Sequence, residues 1–274
     1  MSDSSTFPVL PTSTVPSGYI WPAATGREVI RQINVDQAVT RPDLIGQQGL
    51  SDGSGKSDTI ILQAGAWCLK TAGRKYFRDL DDGRTFLLEA ARRKLQLGSL
   101  LVPTTVLVLQ PDDAGGGWLW TISPWMKTLR TLMNQALATA NENALGLALE
   151  IFARAAVRAL VLASRQNLVL DVHPSNFAVN DDQVTFVYID DDIGSGSLIP
   201  AVSYCFLRRF DEYLEYSQAL MAYLEAVEVA MEMRLERADV KVLNLIEDFE
   251  HCQVRSGLAE QARSRIVKIL RRRQ

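Results

Sequence analysis

The sequence predicts an α+β protein with two lobes, a small antiparallel sheet with one helix and a larger helical region. Short β-branched and aromatic segments separated by turn residues fill the first part of the chain, which favours strands. Long apolar segments with helical spacing dominate the second part, where one hairpin follows a polar loop. The expected boundaries are 1–18 for a disordered leader, 19–123 for the sheet lobe and 124–274 for the helical lobe.

The sheet lobe contains one clear helix, "DDGRTFLLEAARRKLQLG" at 81–98. Its apolar residues recur at helical spacing, acidic residues precede basic ones, and Gly98 marks a stop. Segment 26–39 fits either a helix or a strand. The predicted strands are "TIILQ" at 59–63, "AWCLKTA" at 66–72, "TTVLVLQ" at 104–110 and "WLWTIS" at 118–123.

The helical lobe begins with two long helical segments, 127–140 and 143–167. The second is rich in alanine and leucine on nearly all faces, which is typical of a buried core helix. A hairpin is expected over 177–189. Further helices are expected over 204–273, for example in "FLRRFDEYLEYSQALMAYLEAVEVAMEMRLE".

Composition bounds the class of protein. The 274 residues are 47% hydrophobic, enough for a sizeable core, and the net charge of −3 disfavours nucleic acid or a membrane surface as a partner. Cys68, Cys205 and Cys252 are odd in number and far apart, which fits a reducing cytoplasm. No apolar run reaches the roughly 18 residues of a membrane span. The expected location is cytoplasmic, although a Ser/Thr-rich start also occurs on secreted bacterial effectors.

The loop "LVLDVHPSNFAV" at 168–179 gathers polar side chains beside an apolar strand. Asn176 precedes the predicted hairpin and Asp190 follows it, so the two should be neighbours in space. Their amide and carboxylate oxygens suit Mg²⁺, which takes few protein ligands and leaves room for phosphate oxygens. Asp171 lies five residues before Asn176 and can reach the same pocket, where it would accept or orient a hydroxyl proton.

This loop, followed by "VTFVYIDDDIG", resembles the catalytic and metal-binding loops of the protein-kinase-like fold. The histidine and proline after the aspartate are closest in style to the aminoglycoside and choline kinases. The resemblance implies a two-lobed kinase-like fold in which Asp171 is the catalytic aspartate and Asn176 and Asp190 hold magnesium. It also implies that Lys70 contacts the α- and β-phosphates of ATP and that Glu89 pairs with Lys70.

The resemblance implies further nucleotide contacts. The adenine edge would lie along 121–127, which contains Ser123 and Trp125. The segment 49–58 is either a phosphate-covering loop or a flexible polar turn. Its candidate residues are Gly53, Ser54 and Gly55. His173 has a catalytic role or only hydrogen-bonds the loop backbone.

The chain departs from the family pattern in two places. Val169 stands where the family usually has histidine. Asp190, Asp191 and Asp192 precede Ile-Gly, where Asp-Phe-Gly is usual, so which of the three is the metal aspartate stays open. No Ala-Pro-Glu signature follows, which favours a small or unusual acceptor over a regulated protein kinase.

The expected function is ATP- and Mg-dependent transfer of the γ-phosphoryl group to a hydroxyl of a small molecule, peptide or protein. The first alternative is a pseudokinase that serves as a binding module. The second is a P-loop NTPase, because "GSGKS" at 53–57 resembles a Walker loop. That pattern needs a glycine at residue 50, which is leucine, and a helix after the loop.

Overall fold

A computed structural model describes residues 8–33, 37–41, 59–180, 185–190, 193–195 and 202–273. The chain divides into two compact units, Met1–Trp125 and Met126–Gln274. An antiparallel sheet dominates the first unit and helices dominate the second, so the predicted α+β class is confirmed. No helix among these residues is long and apolar enough to cross a bilayer.

The first unit is built on one antiparallel sheet. Its strands are β1 (Ile20–Trp21), β2 (Val39–Thr40), β3 (Thr59–Ala64), β4 (Trp67–Ala72), β5 (Tyr76–Phe77), β6 (Val106–Pro111) and β7 (Gly117–Pro124). They lie in the order β1-β6-β7-β4-β3-β2, with β5 also paired to β7. Gly65, with φ of +59°, forms the turn between β3 and β4, a backbone conformation that suits glycine.

Side chains alternate between the two faces of this sheet along each strand, so each face carries apolar residues. A helix packs on each face. One face, with Leu69, Trp120 and Ile122, packs on α1 (Ala23–Gln32), so segment 26–39, which fitted either class, begins as a helix. The other face packs on α2 (Leu80–Gln96). Asp79 caps α2 by accepting a hydrogen bond from the backbone N–H of Asp81, and Gly98, with φ of +57°, follows its end.

Residues 8–18 correct the prediction of a disordered leader. Val15 is buried in the core of the sheet. The backbone N–H of Thr12 donates to Gln110, and the indole N–H of Trp120 donates to the carbonyl of Val9. These partners lie about a hundred residues away in sequence, so local composition carries no signal of them. Residues 1–7 lie outside the described ranges.

The second unit is mainly helical. Its helices are α3 (Leu129–Ala138), α4 (Glu142–Gln166), α5 (Val202–Glu212), α6 (Ser217–Arg234), α7 (Arg237–Val242), α8 (Leu245–His251) and α9 (Gly257–Arg272). Its short strands are β8 (Leu168–Leu170), β9 (Phe177–Val179), β10 (Phe186–Tyr188) and β11 (Ile193–Ser195). As its composition predicts, α4 is a buried core helix, and α3 and α6 pack on it. The stretch that begins at Phe206 is two helices, because the chain turns between α5 and α6.

Candidate functional site

Strand β8 leads the chain into the polar loop. Helix α4 ends at Gln166, and the left-handed conformation of the next residue, Asn167 (φ of +56°), turns the backbone into the strand. Strand β8 pairs antiparallel with β11, which follows the aspartate run. Asp171 comes directly after β8 and is exposed.

A single turn of 3-10 helix over Pro174–Asn176 shapes this loop. The backbone N–H of His173 donates to the carbonyl of Asp171 at 3.0 Å, and the N–H of Asn176 donates to the carbonyl of His173 at 2.9 Å. Pro174 suits the first helical position because its missing N–H needs no partner there. These local bonds hold the backbone between Asp171 and Asn176 in one conformation.

Asn176 and Asp171 contact each other directly. The side chain of Asn176 is buried, and its Nδ2 donates to Asp171 Oδ2 at 2.8 Å and to the Asp171 carbonyl at 3.2 Å. The buried amide therefore orients the exposed carboxylate. The hydroxyl of Tyr188 adds a brace, because it accepts the Asp171 backbone N–H at 3.1 Å. Sequence reasoning missed Tyr188, although an aromatic hydroxyl at the end of a hairpin strand is a recognisable signal.

The hairpin of β9 and β10 connects Asn176 to the aspartate run. Phe177 lies opposite Tyr188, and the N–H of Ile189 donates to the carbonyl of Asn176 at 2.9 Å. Asp190 is the next residue and is buried. The backbone of Asp190 therefore lies close to that of Asn176, because Ile189, the residue before Asp190, is hydrogen-bonded to Asn176. Asp191 and Asp192 lie outside the described ranges, and the choice of metal aspartate stays open.

The chemistry of these side chains fits a magnesium site. Asn176 turns its nitrogen to Asp171, so its carboxamide oxygen is the end that would face a cation. Asp190, whose backbone lies next to that of Asn176 through the Ile189 hydrogen bond, would add a carboxylate oxygen, and such hard donors suit Mg²⁺ completed by water and phosphate. Within the described ranges, no group of three or more His, Cys, Asp or Glu side chains could hold a metal ion. The fit therefore rests on a mixed amide and carboxylate pair.

His173 is a neutral member of the loop. Burial, followed by the positive charges of Arg209, Arg130 and Arg208, lowers the pKa of its imidazole from 6.5 to about 3. Nδ1 of His173 lies 2.6 Å from Ser175 Oγ and accepts the Ser175 backbone N–H at 3.3 Å. This geometry matches the loop-bracing alternative. Its predicted catalytic role stays a prediction.

Val169 lies in β8 opposite Gly194 of β11. A Cβ on Gly194 would come 3.4 Å from the Cβ of Val169, so the two strands approach closely. At the position where the protein-kinase-like pattern usually has histidine, Val169 instead packs against the neighbouring strand. The brace for Asp171 comes instead from Asn176 and Tyr188.

Lys70 lies in the middle of the sheet of the first unit, between Ile61 and Thr121. Side-chain alternation puts it on the sheet face that carries α2. Glu89 of α2, however, is on the outer face of that helix, with 54% of its side chain exposed, and pairs with Arg93 one turn later. Because Leu87 and Ala91 occupy the buried face, the intervening Glu89 points outward, which argues against the predicted pair with Lys70.

The predicted adenine-edge residues end the sheet. Ser123 lies opposite Cys68 in β7, and the N–H of Trp125 donates to the carbonyl of Ala66 at 2.7 Å. The guanidinium of Arg41 lies 5.0 Å from the centre of the Trp125 ring. Ser123 and Trp125 are both half-buried, and their predicted contacts with the nucleotide stay predictions.

The glycine-containing segment falls outside the described residues, with Gly53, Ser54 and Gly55 in it. Strand β3 starts at Thr59, two residues after the Walker-like motif ends at Ser57. A Walker loop requires a helix at this point. The strand therefore disfavours the P-loop NTPase alternative.

Comparison with known proteins yields one weak structural similarity. No protein-family model matches the chain, and no curated protein sequence matches it significantly. Among solved structures, the chain is similar to a MAP kinase from Leishmania major at a TM-score of 0.36 and 15% sequence identity. The similarity covers 92% of this chain and 84% of that chain. A similarity this weak assigns neither an activity nor a substrate.

Proposed function

We propose that the chain is a kinase-like phosphotransferase that uses ATP and magnesium to phosphorylate a hydroxyl group. The observation that carries this proposal is the bond between the buried amide of Asn176 and the exposed carboxylate of Asp171. A fixed carboxylate beside the open end of a hairpin, where Asp190 also lies, is an arrangement that suits in-line phosphoryl transfer. The motif style favours a small alcohol or amino sugar as the acceptor.

In this proposal, Asp171 holds the acceptor hydroxyl and takes its proton as the acceptor oxygen bonds to the γ-phosphorus of ATP, while the bond from that phosphorus to the bridging oxygen breaks and ADP leaves. The two ends of the Asn176 carboxamide have different roles. Its nitrogen orients Asp171, and its oxygen would hold magnesium together with Asp190. When bound, magnesium would neutralise charge on the nucleotide phosphates. Positioning and charge neutralisation would supply most of the rate enhancement.

A pseudokinase is the second candidate, and the position of Glu89 favours it. A glutamate that pairs with Arg93 on the exposed face of α2 does not fix the ammonium group of Lys70. Val169 also replaces the usual loop histidine. In this candidate the chain would bind nucleotide and use the bound state to recruit a partner.

One experiment separates the two candidates. The full chain and Asp171→Asn would be assayed for binding of Mg-ATP by thermal shift, and for transfer from labelled ATP to a fractionated lysate. Asparagine keeps the acceptor oxygen for Asn176 and removes the proton-accepting charge. We expect equal nucleotide binding and a loss of transfer of about a thousandfold or more.

Two other results would contradict the proposed transferase. Unchanged transfer by Asp171→Asn would remove Asp171 from the reaction. Binding of Mg-ATP by the unmodified chain without transfer to any lysate fraction would favour the pseudokinase.

A further inference from the structure

Three arginines of the second unit converge on one glutamate. Arg130 lies in the first turn of α3, and Arg208 and Arg209 lie in α5; together they form the arginine cluster. Oε1 of Glu212 lies 2.5 Å from Arg208 Nε. Its Oε2 lies 2.7 Å from Arg209 Nη1 and 3.7 Å from Arg130 Nη1. Three positive charges thus share one carboxylate, which leaves a surplus of two.

Arg209 is the unusual member of this cluster. Its side chain is 2% exposed, and its guanidinium lies 5.9 Å from the centre of the Phe152 ring. Nε and Nη1 are buried without a hydrogen-bond acceptor among the described residues, since the contact to Glu212 lacks hydrogen-bond geometry. The ion pair with Glu212 compensates the buried charge of Arg209 and holds its guanidinium at the inner end of the cluster.

The other two arginines give the cluster access to solvent. The side chains of Arg130 and Arg208 are 29% and 35% exposed. Arg130 also donates to the hydroxyl of Tyr213 at 3.2 Å, and Arg208 lies over the ring of Tyr204 at 5.7 Å. The cluster therefore runs from the surface to a buried end.

The cluster lies beside the candidate catalytic loop. Helix α3 packs on the turn Pro174–Asn176, and Thr128, which caps α3, bridges to Ala178. Cys205 lies one turn before the α5 arginines and is close to both the cluster and Asp171. Burial and, second, the negative charge of Asp171 raise the pKa of its thiol to about 12, while Arg209 and Arg208 act to lower that pKa. The positive cluster and the carboxylate of Asp171 thus act on the same side chain.

We propose that the arginine cluster binds the phosphate group of a small phosphate-monoester acceptor, whose hydroxyl it holds towards Asp171. A phosphate monoester carries close to two negative charges near pH 7, which matches the surplus of the cluster. Its three terminal oxygens accept from planar guanidinium groups in fixed geometry, which the partly exposed Arg130 and Arg208 supply. This assignment of the acceptor rests on the proposed transferase function.

The site itself is tested by measuring the binding of inorganic phosphate to the full chain by equilibrium dialysis, without nucleotide. Arg130→Gln and Arg208→Gln remove charge from the partly exposed end and should each weaken phosphate binding about tenfold or more. The matched control is Arg265→Gln, an arginine of the same unit paired with Glu228 at 2.6 Å and outside the cluster. It should bind phosphate as the unmodified chain does.

Equal phosphate binding by all four proteins, or none by the unmodified chain, would overturn the site. Binding of Mg-ATP is measured separately on the same proteins. If the unmodified chain does not bind Mg-ATP, the transferase proposal fails, and the phosphate-binding result can still be interpreted by itself.

Competition distinguishes the source of the phosphate group. Glycerol 3-phosphate should displace the bound phosphate, and glycerol, which lacks the anion, should not. A phosphoserine peptide is the third competitor. Displacement by the peptide at lower concentration than by glycerol 3-phosphate would overturn the assignment to a small acceptor.

Discussion

The polar loop of the second unit and helix α2 of the first unit each present a carboxylate, and the two are held in opposite ways. Asp171 accepts from the buried amide of Asn176, on a backbone that Tyr188 also braces. Glu89 pairs with a partly exposed arginine across one helical turn. An exposed pair of this kind contributes a few tenths of a kcal/mol and fixes little. A reactive group needs the first kind of support, because its geometry must persist while substrate is bound.

Asn176→Ala is the strongest way to break this difference. It removes the bond to Asp171 and leaves a small cavity in a buried position, so we expect a loss of about 2 kcal/mol of stability. Transfer should fall as well, because the carboxylate becomes as loosely held as that of Glu89. Urea denaturation and labelled-ATP transfer measure the two effects.

Asn180→Ala is the control from the far end of the same hairpin, where the half-buried side chain donates to Thr185 at 2.7 Å in a solvent-exposed hydrogen bond. Its loss should change stability by less than about 0.5 kcal/mol. Equal effects of the two substitutions would contradict a special role for Asn176.

The pH dependence of stability sharpens the comparison through His173, which belongs to the braced loop. Its pKa of about 3 in the folded chain lies below the ordinary value of 6.5. Above pH 6.5 both states are neutral. As the pH falls from 6.5 towards 3, the unfolded chain takes up a proton that the folded chain does not, so stability is lost across this window.

His173→Gln should therefore lose less stability than the unmodified chain between pH 7 and pH 5, by about 1–2 kcal/mol. Urea denaturation at several pH values measures the slope. The exposed His251, substituted in the same way, is the control. A slope unchanged by His173→Gln would refute the burial of a neutral imidazole.

The smallest expected effect belongs to Glu89. Glu89→Gln removes only the surface pair with Arg93, so affinity for Mg-ATP should change by less than about twofold. Lys70→Met, on the sheet face that carries α2, should reduce that affinity by about tenfold or more if the lysine contacts phosphates. Fluorescence titration with a labelled nucleotide measures both. A large effect of Glu89→Gln would restore the predicted pair.

Sequence reasoning succeeded where the relevant contacts are local. Asp171 and Asn176 are five residues apart, and one turn with a hairpin behind it leaves few ways to separate them. The buried helix α4 was predictable for a similar reason, since alanine and leucine on all its faces require a buried environment.

The rest depended on contacts that the sequence does not order. Helix α2 carries apolar residues on both sides, and the structure buries Leu87 and Ala91 while Phe86, Leu88 and Leu95 stay exposed. Apolar spacing alone therefore did not settle which face Glu89 occupies. The arginine cluster joins α3 to α5 across about eighty residues of sequence, and no sequence motif marks this contact.

The bond between the indole of Trp120 and the carbonyl of Val9 has a practical consequence. Trimming the chain past Val9 would leave a buried N–H without its acceptor, and trimming past Val15 would uncover apolar side chains of the sheet. A shortened protein that aggregates would then report a damaged first unit rather than an inactive enzyme. The starting residue chosen for expression is thus itself a determinant of folding.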